Sequence, residues 1–219
     1  MSLLDRVHVR HQRRLLAVGI LGPLAGFLAL CAAMATYPGF NQATQYLSEL
    51  GDPRAPHPEI YNLSVALVGA GAFLAGGGFY CALLAAGGRK LPAALTGLLM
   101  AFGGAGLIIS AIFIYPDPRH LAVQWGFALP FCPILILWSL WGLPGFSNLR
   151  RFLAATLVVM TGLILICQHI IFPSVVNSIN VGWWERAEVL VLVGWVLVVA
   201  IALDRRLLKD GYWLSAGRS

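Results

Sequence analysis

The stretch Leu91–Tyr115, LPAALTGLLMAFGGAGLIISAIFIY, contains no charged side chain. As a helix rising about 1.5 Å per residue it is long enough to cross the roughly 30 Å hydrocarbon core of a bilayer. Lipid offers no partner to free backbone N–H and C=O groups, and the stretch lacks the two-residue alternation of a barrel strand. A transmembrane helix is therefore the conformation that satisfies its backbone. Five further runs of the same character flank it: Leu15 to Tyr37, Ile60 to Ala86, Leu121 to Gly142, Phe152 to Phe172 and Arg186 to Leu203. The 219-residue chain as a whole agrees, with 59% hydrophobic and 11% charged residues and a mean hydropathy of +0.80, far from the soluble range. The sequence predicts an all-α polytopic membrane protein of six transmembrane helices in one bundle.

The longest interval between runs, residues 38–59, is too short to build a core of its own. The expected organisation is a single membrane domain over residues 15–204, with a basic arm over 1–14 and a basic tail over 205–219. The first run is longer than the apolar region of a cleaved signal and has no evident small-residue cleavage site after it, so it is expected to remain in the mature protein.

Basic residues set the expected orientation. Arg6, Arg10, Arg13 and Arg14, then Arg89 and Lys90, then Arg150 and Arg151, then Arg205, Arg206, Lys209 and Arg218 all fall on one side of the six runs. Only Arg54, Arg119 and Arg186 fall on the other. The positive-inside rule then places both termini in the cytoplasm of a multi-pass plasma-membrane protein. The net charge of +6 is thus a topology signal: the basic residues form short juxtamembrane clusters suited to anionic lipid headgroups. They are not gathered with aromatics on one folded face, which argues against nucleic-acid binding and leaves membrane lipids as the expected partners. Cys31, Cys81, Cys132 and Cys167 lie within the runs without a Cys-x-x-Cys pair, as small apolar residues would.

Glycines mark the tight contacts. The second run carries Gly69, Gly71, Gly76, Gly77 and Gly78, and the third carries Gly97, Gly103, Gly104 and Gly106. Small residues let backbones approach in lipid, where dispersion and weak polar contacts replace the hydrophobic drive, so these two helices are expected to pack closely. The outward helices end on Tyr37 and Pro38, Tyr115 and Pro116, Phe172 and Pro173, a pattern that interfacial aromatics and helix-stopping prolines explain and that a repeated helical hairpin would also give.

The outer side collects the chemistry. It holds six of the nine carboxylates, Glu49, Asp52, Glu59, Asp117, Glu185 and Glu188, together with Ser48, His57, His120 and His169. Imidazoles beside carboxylates are the donors that zinc or a similar divalent ion uses, and three such ligands leave a position for an activated water. Asp117, His120 and His169 are the candidate metal ligands, with Glu49 or Glu188 completing or orienting the set. Plain structural roles stand beside these: Asp117 before Pro118 reads as an N-cap, and Glu59, Glu185 and Glu188 sit where a helix start favours negative charge. His169, with Gln168 beside it and apolar residues on both flanks, is expected at the edge of hydrocarbon, where a polar group needs a partner or a cavity.

The stretch Tyr46, Leu47, Ser48, Glu49, Leu50, Gly51, with Pro56 and Ile60, Tyr61, Asn62, and later Tyr115, Pro116, Asp117 and His120, resembles an uncharacterised prokaryotic six-span membrane family, the domain of unknown function 998. A more distant likeness is to the Frag/DRAM/Sfk group, where a serine, an acidic residue and a glycine similarly follow the first span. The resemblance implies Ser48, Glu49, Gly51, Asn62, Asp117 and His120 as pattern residues. The distant group adds an expectation of membrane-lipid organisation or lipid-anchor remodelling, by fold analogy.

Two classes of function follow. One is a lipid hydrolase or transferase at the outer leaflet, with His120 and His169 as bases or ligands and Asp117, Glu49 and Ser48 in the site. The other is a non-enzymatic lipid-binding, sensing or scaffold protein whose outer polar groups hold helix ends together. Transport is disfavoured, because no ionisable relay continues through the inner halves of the runs, and bis-histidine haem ligation would need histidines at two depths.

Overall fold

The computed structural model describes residues 3–114 and 117–216; of residues 3–10, 123, 127 and 210–216 only the backbone is described. Six α-helices follow one another: α1 Leu3–Ala35, α2 Pro58–Ala85, α3 Lys90–Ile112, α4 Cys132–Ser139, α5 Ser147–Cys167 and α6 Val181–Ala216. Two 3₁₀ segments, Leu47–Gly51 and Pro118–Phe131, complete the set, and no strand occurs among the described residues. Six candidate membrane spans result, at His11–Ala35, Pro58–Ala85, Lys90–Ile112, Pro118–Ser139, Ser147–Cys167 and Val181–Lys209.

These spans are the six apolar runs of the sequence, with three informative differences. The helices of spans one and six continue through the basic arm and tail, so neither forms a separate element. Span six begins at Val181 rather than Arg186, which moves Glu185, Arg186 and Glu188 from its mouth into its first turns. Span four is a 3₁₀ segment over residues 118–131 that becomes α-helical at Cys132. Pro130 and Pro133 remove two N–H donors there, and a proline ring collides with the carbonyl four residues earlier in an α-helix, so the tighter winding is the local answer.

Small residues set the packing. A Cβ added at Gly69 would stand 2.7 Å from the carbonyl oxygen of Gly104, and one at Gly97 would stand 2.9 Å from that of Gly76, so the α2 and α3 backbones touch directly. Gly71 and Gly22 of α1 face each other more loosely, a Cβ added at Gly71 standing 3.5 Å from the Gly22 Cα in ordinary contact. The main core, around Leu16, Phe79, Leu83, Met100, Ile136, Leu140, Leu153, Trp195, Val199 and Leu203, joins α1 to α6 and extends toward the end that carries the termini. At that end Arg13 pairs with Asp204 at 2.7 Å, closing α1 onto α6. A smaller cluster of Ala33, Leu47 and Leu50, flanked by Tyr37, Phe40, Ile60, Tyr61 and Val189, occupies the opposite, loop-bearing end and forms the floor under its polar groups.

Candidate functional site

The loop end is built from two short devices of identical chemistry. In Asp52-Pro53-Arg54 the carboxylate accepts the Arg54 backbone N–H at 2.8 Å and receives Nε and Nη2 of the same arginine, each at 2.8 Å. In Asp117-Pro118-Arg119 the distances are 2.8, 3.0 and 2.6 Å. The guanidinium bonds, more than the backbone ones, hold both carboxyl groups down to a pKa of about 2, and Asp52 raises that of Arg54 in turn. Asp117 is therefore the N-cap that its position before Pro118 predicts, with both oxygens engaged. The repeated tripeptide was the signal for this device; charge counting passes over it because each motif is neutral within itself. Tyr115 and Pro116 lie outside the described residues.

His120 joins span four to the end of α3. Its Nδ1 lies 3.0 Å from both the Ser110 and the Phe113 carbonyl oxygens, and two acceptors require that nitrogen to carry the proton. The Ser110 hydroxyl returns a bond to the His120 carbonyl oxygen at 3.0 Å. A helix leaves its last four carbonyls without intrahelical donors, and His120 supplies one of those donors at α3.

His169 lies two residues past the end of α5 and is exposed, at φ +56°. Its backbone N–H reaches Ile166 O at 3.0 Å and that of Ile170 reaches Leu165 O at 2.9 Å, the pair of bonds that closes a Schellman cap. The ring Nδ1 approaches Pro173 O at 3.0 Å. Asp117, His120 and His169 thus serve three different local partners, and among the described residues no three histidine, cysteine, aspartate or glutamate side chains are grouped so as to hold one metal ion.

A different set does come together where the strap of residues 38–57 crosses α6. Gly182 lets the strap lie on the first turn of α6: its N–H bonds Ala43 O at 2.8 Å, and a Cβ there would meet the carbonyl oxygens of Gln42 and Gln45. Glu185 accepts the Leu47 N–H at 2.6 Å, and Arg186 Nη1 donates to Gln45 O at 3.1 Å and to Gly182 O at 2.7 Å. Glu49 turns back to the Tyr46 N–H and takes the Gln45 side-chain amide, each at 2.9 Å, which closes the 3₁₀ turn. Asn62 of α2 donates to Gly51 O at 3.1 Å, and a Cβ at Gly51 would collide with the side chains of Asn62 and Tyr61. Beside this set a cleft of about 240 Å³ is lined by Tyr37, Glu49, Asp52 and Arg54. Ser48 is exposed on the turn.

The Glu49, Gly51 and Asn62 cluster is the spatial meaning of a short sequence pattern, and residues 20–202 match the profile of the family described as protein of unknown function (DUF998). The chain belongs to the DUF998 family. No curated protein and no solved structure matches it. For this DUF998 protein, then, the site rests on its own geometry. Sequence reasoning singled out Glu49, Gly51, Tyr61, Asn62 and the helix-start position of Glu185, and it missed Gln45, Gly182 and the inward role of Arg186. The signals were present in Gly182, a small residue in the first turn of a span, and in Arg186, an arginine on the side otherwise poor in basic residues.

Proposed function

We propose that this DUF998 protein is a non-catalytic, lipid-binding scaffold whose loop end is a hydrogen-bonded plug joining the ends of its helices. The observation that carries the reading is His120: its Nδ1–H is directed at the Ser110 and Phe113 carbonyl oxygens, which ties the start of span four to the end of α3. The Asp117 oxygens are likewise held by Arg119, and the His169 ring sits beside Pro173 O. All three side chains thus bind groups at helix ends, as a plug does. The distribution of arginine and lysine supports placing both termini in the cytoplasm of a plasma membrane and the plug on the far side.

Two measurements test this. Purified protein in phospholipid nanodiscs is expected to retain lipid through detergent exchange and to leave it chemically unchanged by mass spectrometry; ester or amide turnover that disappears in a His120→Ala, His169→Ala double variant would establish an enzyme instead. A cysteine at exposed Ser48 is expected to react with an impermeant maleimide on intact cells, and protection until the cells are lysed would reverse the orientation.

A further inference from the structure

Three arginines of this chain bind a carboxylate in one way. Arg13, Arg54 and Arg119 each set Nε and Nη2 against the two oxygens of a single carboxylate, on Asp204, Asp52 and Asp117 in turn. Arg186 is held by its remaining nitrogen alone, while its Nε and Nη2 are shielded from solvent and make no hydrogen bond. Among the described residues it forms no ion pair, because the adjacent Glu185 carboxylate is turned to the Leu47 N–H. A guanidinium does not shed its charge, and a shielded charge without an acceptor is unfavourable, so this edge is complementary to a two-oxygen acid that the protein itself does not supply.

The surroundings narrow the acid. Arg186 lies in the second turn of a membrane span, its guanidinium 5.5 Å from the ring of Phe40, which itself packs on the apolar cluster of Ala33, Leu47 and Leu50. Gln45 connects it to Glu49, which lines the outer cleft with Asp52. Glu185 and Glu188 stand on the same helix. With the Asp52 charge answered by Arg54, the carboxylates of Glu49, Glu185 and Glu188 remain to disfavour a multiply charged anion, whereas a phosphodiester carrying a single charge and an attached ammonium group is matched at both ends. The strap is tied to the first turns of α6 beside Arg186 by the Ala43, Gln45 and Leu47 bonds.

We propose that the Nε–Nη2 edge of Arg186 binds the phosphate of a zwitterionic phospholipid headgroup, with the ammonium directed to Glu49 in the cleft and the strap of residues 38–57 moving to admit it. The assignment rests on the lipid-binding reading above and gives that reading a site.

Native mass spectrometry of the full chain in maltoside tests it, with phosphatidylethanolamine, a phosphate-free glucosyl diacylglycerol and inorganic phosphate as the added probes. The wild type is expected to retain phosphatidylethanolamine at least about tenfold more tightly than Arg186→Lys, which keeps the charge but lacks the two-nitrogen edge. A second measurement uses the wild type alone, so the result stands even where the variant fails to fold: phosphatidylethanolamine should raise the melting temperature by several degrees and the glucosyl lipid should not. Equal retention by Arg186→Lys overturns the placement while leaving lipid binding intact. Retention of neither lipid by the wild type takes down the lipid-binding reading itself. Stabilisation by inorganic phosphate equal to that by the phospholipid overturns the headgroup assignment in favour of a free anion.

Discussion

His120→Ala isolates the clamp between span four and α3. The substitution removes a donor that two carbonyl oxygens share at 3.0 Å each, and it leaves both at a helix end where water is scarce. One protein hydrogen bond contributes about 0.5–1.5 kcal/mol, and stranding a partly buried acceptor adds to the loss, so a total of about 1–2 kcal/mol is expected. For a chain of this size that corresponds to a fall of roughly 3–6 °C in melting temperature. The assay is thermal unfolding in a single detergent, followed by tryptophan fluorescence, with the metal content of each sample measured beside it. The direction of the bond sharpens the test. His120→Asn keeps an N–H near the place of Nδ1 and should recover most of the loss, whereas His120→Gln carries its amide out toward the place of Nε2 and should recover little. Metal content should be the same in all four proteins. Unchanged stability of the alanine variant, or better rescue by glutamine than by asparagine, would refute the clamp and return His120 to the candidates for chemistry through Nε2.

Three further outcomes are expected. Gly76→Ala drives a Cβ onto the Gly97 carbonyl oxygen, which cannot rotate away, and should cost about 1–3 kcal/mol by overpacking, while Gly77→Ala, with no atom within 4 Å, should be neutral or stabilising; denaturation in detergent compares the pair. Asp52 and Asp117 have folded pKa values near 2, below the ordinary 3.8, so their contribution is complete above about pH 4 and is lost as the pH falls through about 2. The melting temperature should drop over that window, and an Asp52→Asn, Asp117→Asn double variant should show a shallower drop. His169→Gly relieves a left-handed residue at a gain of about 1 kcal/mol, which offsets loss of the Pro173 contact, whereas His169→Ala loses the contact and keeps the strain, so melting temperatures should rank glycine at or above wild type and alanine below. An alanine variant as stable as the glycine variant would remove the cap from the account.

Some of the site was legible in the sequence and some was not, for identifiable reasons. Asp117 before Pro118 announced its N-cap, because that function depends only on residues two positions apart. His169 drew attention as a polar residue within an apolar run, but its position is fixed by where α5 stops, and the last helical residue is Cys167 rather than Phe172. Arg186 reads in sequence as one of three outer basic residues. That two of its nitrogens are enclosed shows only in the folded chain.

The sequence by itself determined that the chain crosses a membrane six times as helices, because apolar length and the backbone's need for internal hydrogen bonds leave no other spanning form. It also determined that α2 and α3 pack closely, since runs of glycine admit direct backbone contact. What the tertiary structure decided is which polar groups meet at the loop end. Residues 45 and 47 of the strap are brought to 186 and 185 of α6 across about 140 positions, and no local rule of spacing or propensity encodes a contact made only in the folded chain.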